Sequence, residues 1–174
     1  MAEVIAIANQ KGGVGKTMTS VNLSACLALH DKKVLLVDLD LQGYSTKAFG
    51  YYDSSLYPLS MRDVILVVIK DISINKEQLI LYSDENVDIV PANISLAGIT
   101  ATLKSAMYRE TVVKRFIDMI RDEYDFIIID ANPSLDNLPF NALTASDKVI
   151  IIVQAEPYGV KDMADLLKSI NMVE

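Results

Sequence analysis

The chain contains little cysteine and little histidine. Its 174 residues include one cysteine, Cys26, and one histidine, His30. A lone cysteine excludes an internal disulfide framework and fits a reducing compartment, so we expect a cytoplasmic protein. We interpret Cys26 as a small core residue of the first predicted helix. His30, near the end of that helix, is interpreted as a C-terminal charge partner rather than a ligand.

Long hydrophobic runs are also missing from the sequence. Apolar segments such as VIIIV at 149–153 have the length of a strand, not of a membrane span. The start, MAEVIAIAN, has neither a basic segment nor a small-residue cleavage site, so we expect no signal peptide. The final segment, DLLKSINMVE, lacks the basic amphipathic pattern of a membrane-surface helix. We therefore expect no membrane partner.

Positive charge is scarce as well. The chain has 16 Lys and Arg against 23 Asp and Glu, giving a formal net charge of −7. This balance argues against a nucleic-acid surface that covers the whole chain. A local basic strip in one predicted helical region stays open as an alternative, formed by Lys104, Arg109, Lys114, Arg115 and Arg121. Acidic neighbours such as Asp118 favour a solvated helix face, with non-specific DNA binding as the alternative.

Short Val/Ile-rich runs alternate along the chain with segments of helical period. The predicted strands cover 3–9, 33–40, 86–92, 124–130 and 147–154. The predicted helices cover 16–29, 61–70, 96–121 with a break near Tyr108, 136–145 and 160–172. This alternation predicts an α/β fold with a mostly parallel sheet and helices on both faces. Segment 64–74 fits either a helix or a strand, and 41–60 is predicted to be a mobile or functional loop.

The stretch NQKGGVGKTM, residues 9–18, is predicted to bind phosphate. It follows a strand and opens a helix, as in the pattern G-x-x-x-x-G-K-[ST], although Gln10 stands where that pattern has its first glycine. Glycines let successive backbone N–H groups face a phosphate at the positive end of a helix. Lys16 would contact the β- and γ-phosphates, and the Thr17 hydroxyl would bind Mg²⁺. The predicted nucleotide-binding residues are Lys11, Gly12, Gly13, Val14, Gly15, Lys16, Thr17 and Met18.

Three carboxylates are predicted at the same edge of the sheet. Asp38 and Asp40 in VDLD point the same way at the end of one strand, and Asp130 ends the strand FIIID. Ligands of such sheets bind outside the carboxyl ends of the strands. Asp38 and Asp40 are therefore suited to bind a metal-linked water and a nucleophilic water. Asp130 matches the strand-end Asp that holds Mg²⁺, often through water. We expect residues 1–174 to form a single nucleotide-binding domain.

These residues resemble the ParA/MinD family of ATPases with a deviant Walker A loop, which are P-loop NTPases of the SIMIBI type. The family pattern K-G-G-x-G-K-[ST] is matched by KGGVGKT at 11–17, and VLLVDLDLQG is nearest to the ParA/Soj partition branch. The resemblance implies that Lys11 of one subunit reaches phosphates held by the other, with ATP or ADP and Mg²⁺ as cofactors. It assigns catalysis to Lys11, Lys16 and Asp40, with Asp40 positioning the attacking water. It assigns metal binding to Thr17 and Asp130, with Asp38 supporting the metal shell.

The resemblance further implies an ATP-driven dimerisation switch in plasmid or chromosome partitioning. The expected ATPase is slow alone and is stimulated by a ParB-like partner, and nucleoid association is compatible with it. Several residues depart from the family pattern: Met18 and Leu41 replace Thr and Pro, and Asn132 replaces Pro. The chain stops at Glu174, so we expect a domain that lacks the family's C-terminal strands. The alternative is a nucleotide-binding switch module, or a shortened relative, with little or no hydrolysis.

Overall fold

One sheet forms the centre of the computed structural model, which describes residues 1–57, 59–73, 75–131, 137–155 and 167. Its strands in chain order are β1 (Glu3–Ala8), β2 (Val34–Asp38), β3 (Leu81–Tyr82), β4 (Val87–Val90), β5 (Phe126–Asp130) and β6 (Lys148–Ile151). They lie in the order β3-β4-β2-β5-β1-β6. All neighbouring strands are parallel except β3 and β4, which pair antiparallel. The predicted mostly parallel sheet is therefore confirmed.

Helices connect the strands and cover both faces of the sheet. The α-helices are α1 (Lys16–Leu29), α2 (Tyr44–Ala48), α3 (Met61–Lys70), α4 (Thr100–Ser105), α5 (Val112–Ile120) and α6 (Asn137–Ala145). Short 3₁₀ turns lie at Ser54–Leu56, Lys76–Leu79, Ile94–Ile99, Arg109–Thr111 and Arg121–Glu123. Helix α3 begins at a capping box in which Ser60 and Asp63 bond each other's backbone N–H groups. This cap explains why the chain turns helical at Met61.

Two hydrophobic clusters lie on opposite faces of the sheet because side chains alternate along each strand. In β5, Ile127 and Ile129 pack into the cluster that also receives α3, α5 and α6. Ile128 points to the other face, where α1 and Phe49 cover the sheet. All three isoleucines are fully buried, and burying one such side chain contributes about 1.5–3 kcal/mol. Burial on both faces explains the unbroken apolar run that predicted this strand.

The structure differs from the sequence-based expectations in two short elements. The stretch 41–60, predicted as a loop, contains α2 and a 3₁₀ turn, and the edge strand β3 was not predicted. The ambiguous segment 64–74 is resolved in favour of α3 up to its end at Lys70. The predicted break near Tyr108 is confirmed, because α4 and α5 are separate helices. The helix predicted at 160–172 lies outside the described residues, apart from Leu167.

Surface features concern two further expectations, of which the first is decided and the alternative of DNA binding stays a prediction. Cys26 is exposed, so its interpretation as a core residue was wrong: it lies on the outer side of α1, whereas Ser20 and Ser24 face the sheet. Three of the five basic residues near α5, namely Arg109, Lys114 and Arg121, form ion pairs with Glu110, Asp118 and Asp147, as for a solvated helix face. In the part of the chain that the structure describes, no helix combines the length and apolarity needed to cross a membrane.

The strand register brings the predicted site residues to one edge. Asp38, the last residue of β2, lies opposite Asp130, the last residue of β5. Asp130 also lies opposite Ile7, one residue before the end of β1. Because these strands are parallel, the loop after β1 and the loop after β2 leave the sheet on the same side as Asp130. Their side chains can therefore meet there.

Candidate functional site

The loop between β1 and α1 uses glycine where its backbone turns left-handed. Gly13 and Gly15 have φ angles of 74° and 102°, a region that other residues enter only with strain. Gln10, which occupies the position of the first glycine of the general phosphate-loop pattern, is not among the non-glycine residues with positive φ. The position of Gln10 therefore does not require glycine here. The mismatch in the sequence leaves the turn intact.

Helix α1 begins in a way that leaves its first N–H groups available. Its N-cap is Gly15, no described side chain caps it, and its first turn carries no acidic residue. A Cβ atom built on Gly12, Gly13 or Gly15 would meet no heavy atom within 4 Å, so the loop borders open space. The unpaired N–H groups and the positive end of a helix form an anion-binding site. This geometry fits a phosphate group.

Lys16 lies beneath this loop, between the loop backbone and two carboxylates. Its side chain is only 7% exposed, and its ammonium group donates a hydrogen bond to the backbone carbonyl oxygen of Lys11 at 2.8 Å. Burial lowers the pKa of Lys16, while the negative charges of Asp130 and Asp40 act in the opposite direction. Lys16, Asp40 and Asp130 are therefore close enough for their charges to interact, and their assigned roles stay predictions.

Lys11 contacts the segment that follows β6, the strand on the other side of β1. Its backbone N–H donates to the Asn9 side-chain oxygen at 2.8 Å, and its ammonium group donates to the side-chain oxygen of Gln154 at 2.9 Å. Asn9 in turn donates to the backbone carbonyl of Ile152, just after β6. The side chain of Lys11 thus contacts its own chain at the carboxyl edge of the sheet. Its predicted action on a second subunit stays a prediction.

Asp130 accepts hydrogen bonds from hydroxyl groups of two helices. It is 1% exposed. Ser20 of α1 donates to its Oδ1 at 3.1 Å, Ser45 of α2 donates to its Oδ2, and Thr17 also bonds the carboxylate. Burial raises the pKa of Asp130, the hydroxyl groups lower it, and the charge of Asp40 raises it further. Asp130 therefore links the start of α1 with α2.

Asp38 is fully buried and binds the segment that follows it. Its Oδ1 accepts the backbone N–H of Asp40 at 3.0 Å, and its Oδ2 accepts the N–H and the hydroxyl of Thr46 at 2.9 and 2.8 Å. Burial raises the pKa of Asp38 to about 7, with a smaller contribution from the charge of Asp130. Both oxygens are thus engaged within the protein, and the assignment of Asp38 to the metal shell stays a prediction.

Asp40 is the most accessible of the three carboxylates. It is partly exposed, whereas Asp38 and Asp130 are buried. Its Oδ1 accepts the N–H of Gln42 at 3.0 Å, and its backbone carbonyl accepts the N–H of Gly43 at 2.9 Å. These two bonds close a turn that fixes the carboxylate near Lys16. A carboxylate in this position can accept a hydrogen bond from a water molecule.

Thr17 and Asp130 provide donors that suit Mg²⁺. Among the described residues, no group of three or more His, Cys, Asp or Glu side chains is arranged to hold a metal. Mg²⁺ keeps several waters and is usually bound through one or two carboxylates together with substrate phosphates. A hydroxyl and a carboxylate that bond each other beside an anion-binding loop are a donor set of that kind. The residues therefore fit a magnesium-nucleotide complex.

Sequence reasoning missed the hydroxyl residues of the site. Ser20 lies one helical turn after Lys16 and so on the same face of α1, a spacing that could have revealed it. Ser45 and Thr46 lie in the stretch predicted as a loop, and no sequence signal assigned them. Of the remaining predicted residues, Gly12, Val14 and Met18 line the loop or open α1, and the side chain of Met18 is 66% exposed. Their contact with nucleotide stays a prediction.

The sheet order, the glycine loop and the buried lysine define a P-loop NTPase. Comparison with known proteins narrows this class. Residues 2–174 match the family described as AAA domain. The whole chain is 43% identical to the sporulation initiation inhibitor protein Soj of Bacillus subtilis and covers 67% of that protein. It is 35% identical to the chromosome-partitioning ATPase Soj of Treponema pallidum and covers 66% of it. The chain therefore belongs to the ParA/Soj family of P-loop NTPases.

Solved structures share the fold. A structure named cobyrinic acid a,c-diamide synthase from Mycobacterium smegmatis, with bound ATP analog and magnesium, is 37% identical, with a TM-score of 0.90 over 99% of this chain. A plasmid partition protein of Borrelia burgdorferi bound to AMPPNP is 29% identical, with a TM-score of 0.84 over 99% of this chain. The chain covers 68% and 70% of these two proteins. It thus spans about two thirds of the length of its relatives.

Proposed function

We propose that this chain is the nucleotide-binding domain of a Mg²⁺-dependent ATPase of the partition type, in which ATP occupancy drives the pairing of two subunits. The observation that carries the proposal is the meeting of Lys16, Asp40 and Asp130 beside an open glycine loop. Support also comes from relatives named chromosome-partitioning ATPase and from related structures that hold ATP analogues, one of them with magnesium.

The residues divide the chemistry of phosphoryl transfer among them. The transition state is loose, so catalysis consists of positioning and charge stabilisation. Lys16 and the N–H groups at the start of α1 neutralise the phosphates, and Asp40 accepts a hydrogen bond from the attacking water. Thr17 and Asp130 would hold Mg²⁺, which would supply additional positive charge for the phosphate groups. Burial of Lys16 strengthens its electrostatic interaction with phosphate, because water screens it less.

Lys11 supplies the link between nucleotide and pairing. Its ammonium group donates a hydrogen bond to the side-chain oxygen of Gln154. A lysine has a long flexible stem and can move its charge to a phosphate held by a second subunit, as an arginine finger does. A charge-assisted bond between this ammonium group and a phosphate oxygen of the second subunit would favour an ATP-bound homodimer. A ParB-like partner would stimulate hydrolysis and so separate the subunits.

Phosphate release tests the enzymatic part of this proposal. Replacing Lys16 by Ala removes the buried positive charge, and we expect release to fall by about 100-fold or more, equivalent to about 2.7 kcal/mol. Lys32→Ala is the matched control, because Lys32 is an exposed lysine at the opposite edge of the sheet. Equal rates for wild type and Lys16→Ala would contradict the proposal.

A second candidate function is a nucleotide-binding switch with little or no hydrolysis. Two departures from the family pattern favour it. Met18, which is 66% exposed, stands where the family has Thr and offers no hydroxyl group. Leu41, which packs against the hydrophobic cluster directly after Asp40, stands where the family has Pro. Calorimetry with ATP, set against single-turnover hydrolysis, separates the candidates. Turnover that is lost in Asp40→Ala with binding retained supports the ATPase. Tight binding without turnover in the wild type supports the switch.

A further inference from the structure

Helix α2 is fastened to two strands by neighbouring residues. Ser45 donates its hydroxyl to Oδ2 of Asp130 on β5. Thr46 donates its backbone N–H and its hydroxyl to Oδ2 of Asp38 on β2. Both donors are fully buried, so water does not compete with these bonds. The segment that carries Asp40 therefore runs from the end of β2 to α2, which these bonds fix to the sheet.

Helix α2 depends on these contacts for its position. It has five residues and an N-cap, Gly43, that offers no side-chain bond. Isolated helices shorter than about 12 residues are marginal in water. Thr46 adds a second connection, because its Oγ1 accepts the backbone N–H of Ala92 at 3.0 Å, in the loop after β4. The tertiary hydrogen bonds thus determine where α2 lies.

The two carboxylate oxygens of Asp130 accept hydrogen bonds from serines on two different helices. Ser20, on Oδ1, belongs to α1, which has 14 residues and packs along the sheet. Ser45, on Oδ2, belongs to the short α2. A change in what Asp130 binds therefore displaces α2 more easily than α1. Asp130 also bonds Thr17 in the phosphate loop, so the loop and α2 share one carboxylate.

We propose that Ser45 is a positioning residue that couples the phosphate site to the segment bearing Asp40. Its hydroxyl makes the position of α2, and through the turn at 40–43 that of the Asp40 carboxylate, depend on what Asp130 contacts. Ser45 acts through Asp130 and touches no substrate. This inference rests on the proposed function, because it assigns Asp130 to the metal site and Asp40 to the attacking water.

Substitutions of the two serines that donate to the Asp130 carboxylate form a matched pair. Ser45→Ala removes the bond from α2, and Ser20→Ala removes the bond from α1. Amide hydrogen exchange is measured for peptides covering 40–50 and 16–29 without nucleotide. We expect Ser45→Ala to raise exchange in 40–50 by about tenfold, and Ser20→Ala to leave that peptide within about twofold of wild type. Equal exchange in 40–50 for both variants would overturn the proposal.

The same variants are then compared with ATP and Mg²⁺. In the wild type, nucleotide should slow exchange in 40–50; in Ser45→Ala this change should be lost while ATP binding is retained. We expect kcat of Ser45→Ala to fall by about tenfold with KM within about twofold, since the loss concerns the position of Asp40 and not ATP affinity. A wild-type-sized exchange response in Ser45→Ala would overturn the inference. If the wild type binds no nucleotide, the proposed function fails, and the nucleotide-free comparison still decides whether Ser45 positions the segment.

Discussion

The ammonium nitrogen of Lys16 lies 2.8 Å from the backbone carbonyl oxygen of Lys11. The two lysines of the loop are thus in contact, yet their side chains occupy different environments. Lys16 is buried beneath the loop near Asp130 and Asp40, whereas the side chain of Lys11 extends to Gln154 in the segment after β6. One loop therefore places one lysine at its predicted phosphate site and the other on the opposite side of β1.

Asp38 should matter for stability and Asp40 for chemistry, although they are two residues apart. Asp38→Ala removes the acceptor of three hydrogen bonds and leaves the buried N–H and hydroxyl of Thr46, and the partly buried N–H of Asp40, without partners. We expect a loss on the order of 2 kcal/mol in the free energy of unfolding. Asp40→Ala, at a partly exposed turn, should cost less than about 1 kcal/mol. Urea denaturation of both variants checks this, and equal losses would contradict the assigned roles.

Gly43 should tolerate no side chain. Its φ angle is 61°, and a Cβ atom there would lie 2.5 Å from the backbone carbonyl oxygen of Ala92. We expect Gly43→Ala to destabilise the protein by about 2 kcal/mol or more, through left-handed strain and overpacking. Gly98→Ala is the control, since a Cβ on Gly98 meets no heavy atom within 4 Å. Thermal unfolding measures both, and an unchanged Tm for Gly43→Ala would refute the close approach of these loops.

The carboxylate of Asp88, at the opposite edge of the sheet, should contribute to the pH dependence of stability. Burial raises the pKa of Asp88, although the Tyr124 hydroxyl, which donates to it at 2.9 Å, and the charge of Lys33 act against the rise. The folded state therefore holds this proton more tightly than the unfolded state. Stability consequently falls as pH rises from about 4, the unfolded value, through the raised folded pKa.

Asp88→Asn should remove this part of the pH dependence. We expect the unfolding free energy at about pH 7.5 minus that at about pH 4 to be more positive in Asp88→Asn than in the wild type. Asp84→Asn, an exposed neighbour, controls for the change in net charge. Urea denaturation at both pH values provides the measurement. Identical pH profiles for wild type and Asp88→Asn would show that burial does not raise this pKa.

The sequence predicted the elements whose positions depend on local signals. Helix α1 begins at Lys16 because Gly15 ends the loop, and α3 begins after the Ser60 capping box. The central strands are apolar along their whole length because both faces are covered. These signals lie within a few residues of each boundary. The location of Asp38 and Asp130 at one edge then followed from the parallel order of the strands.

The missed parts of the site depend on distant contacts. Helix α2 is held by bonds from Ser45 and Thr46 to residues on two strands, and one of these, Asp130, is 85 positions away from Ser45. Neither serine nor threonine has a strong helical preference, so the segment resembled a loop. The two-residue strand β3 exists through its antiparallel pairing with β4 and is too short for alternation to reveal. Tertiary contacts, not propensity, determine these elements.

The most direct test of the account is the mass of the protein in solution with ATP, ADP or no nucleotide, measured by size-exclusion chromatography with light scattering. We expect wild type and the control Lys32→Ala to double in mass with ATP but not with ADP or without nucleotide, because Lys11 would then bind phosphate in the second subunit. Lys11→Ala should bind ATP with similar affinity and stay at the mass of a single chain. ATP-dependent doubling of Lys11→Ala to the wild-type extent would contradict the account.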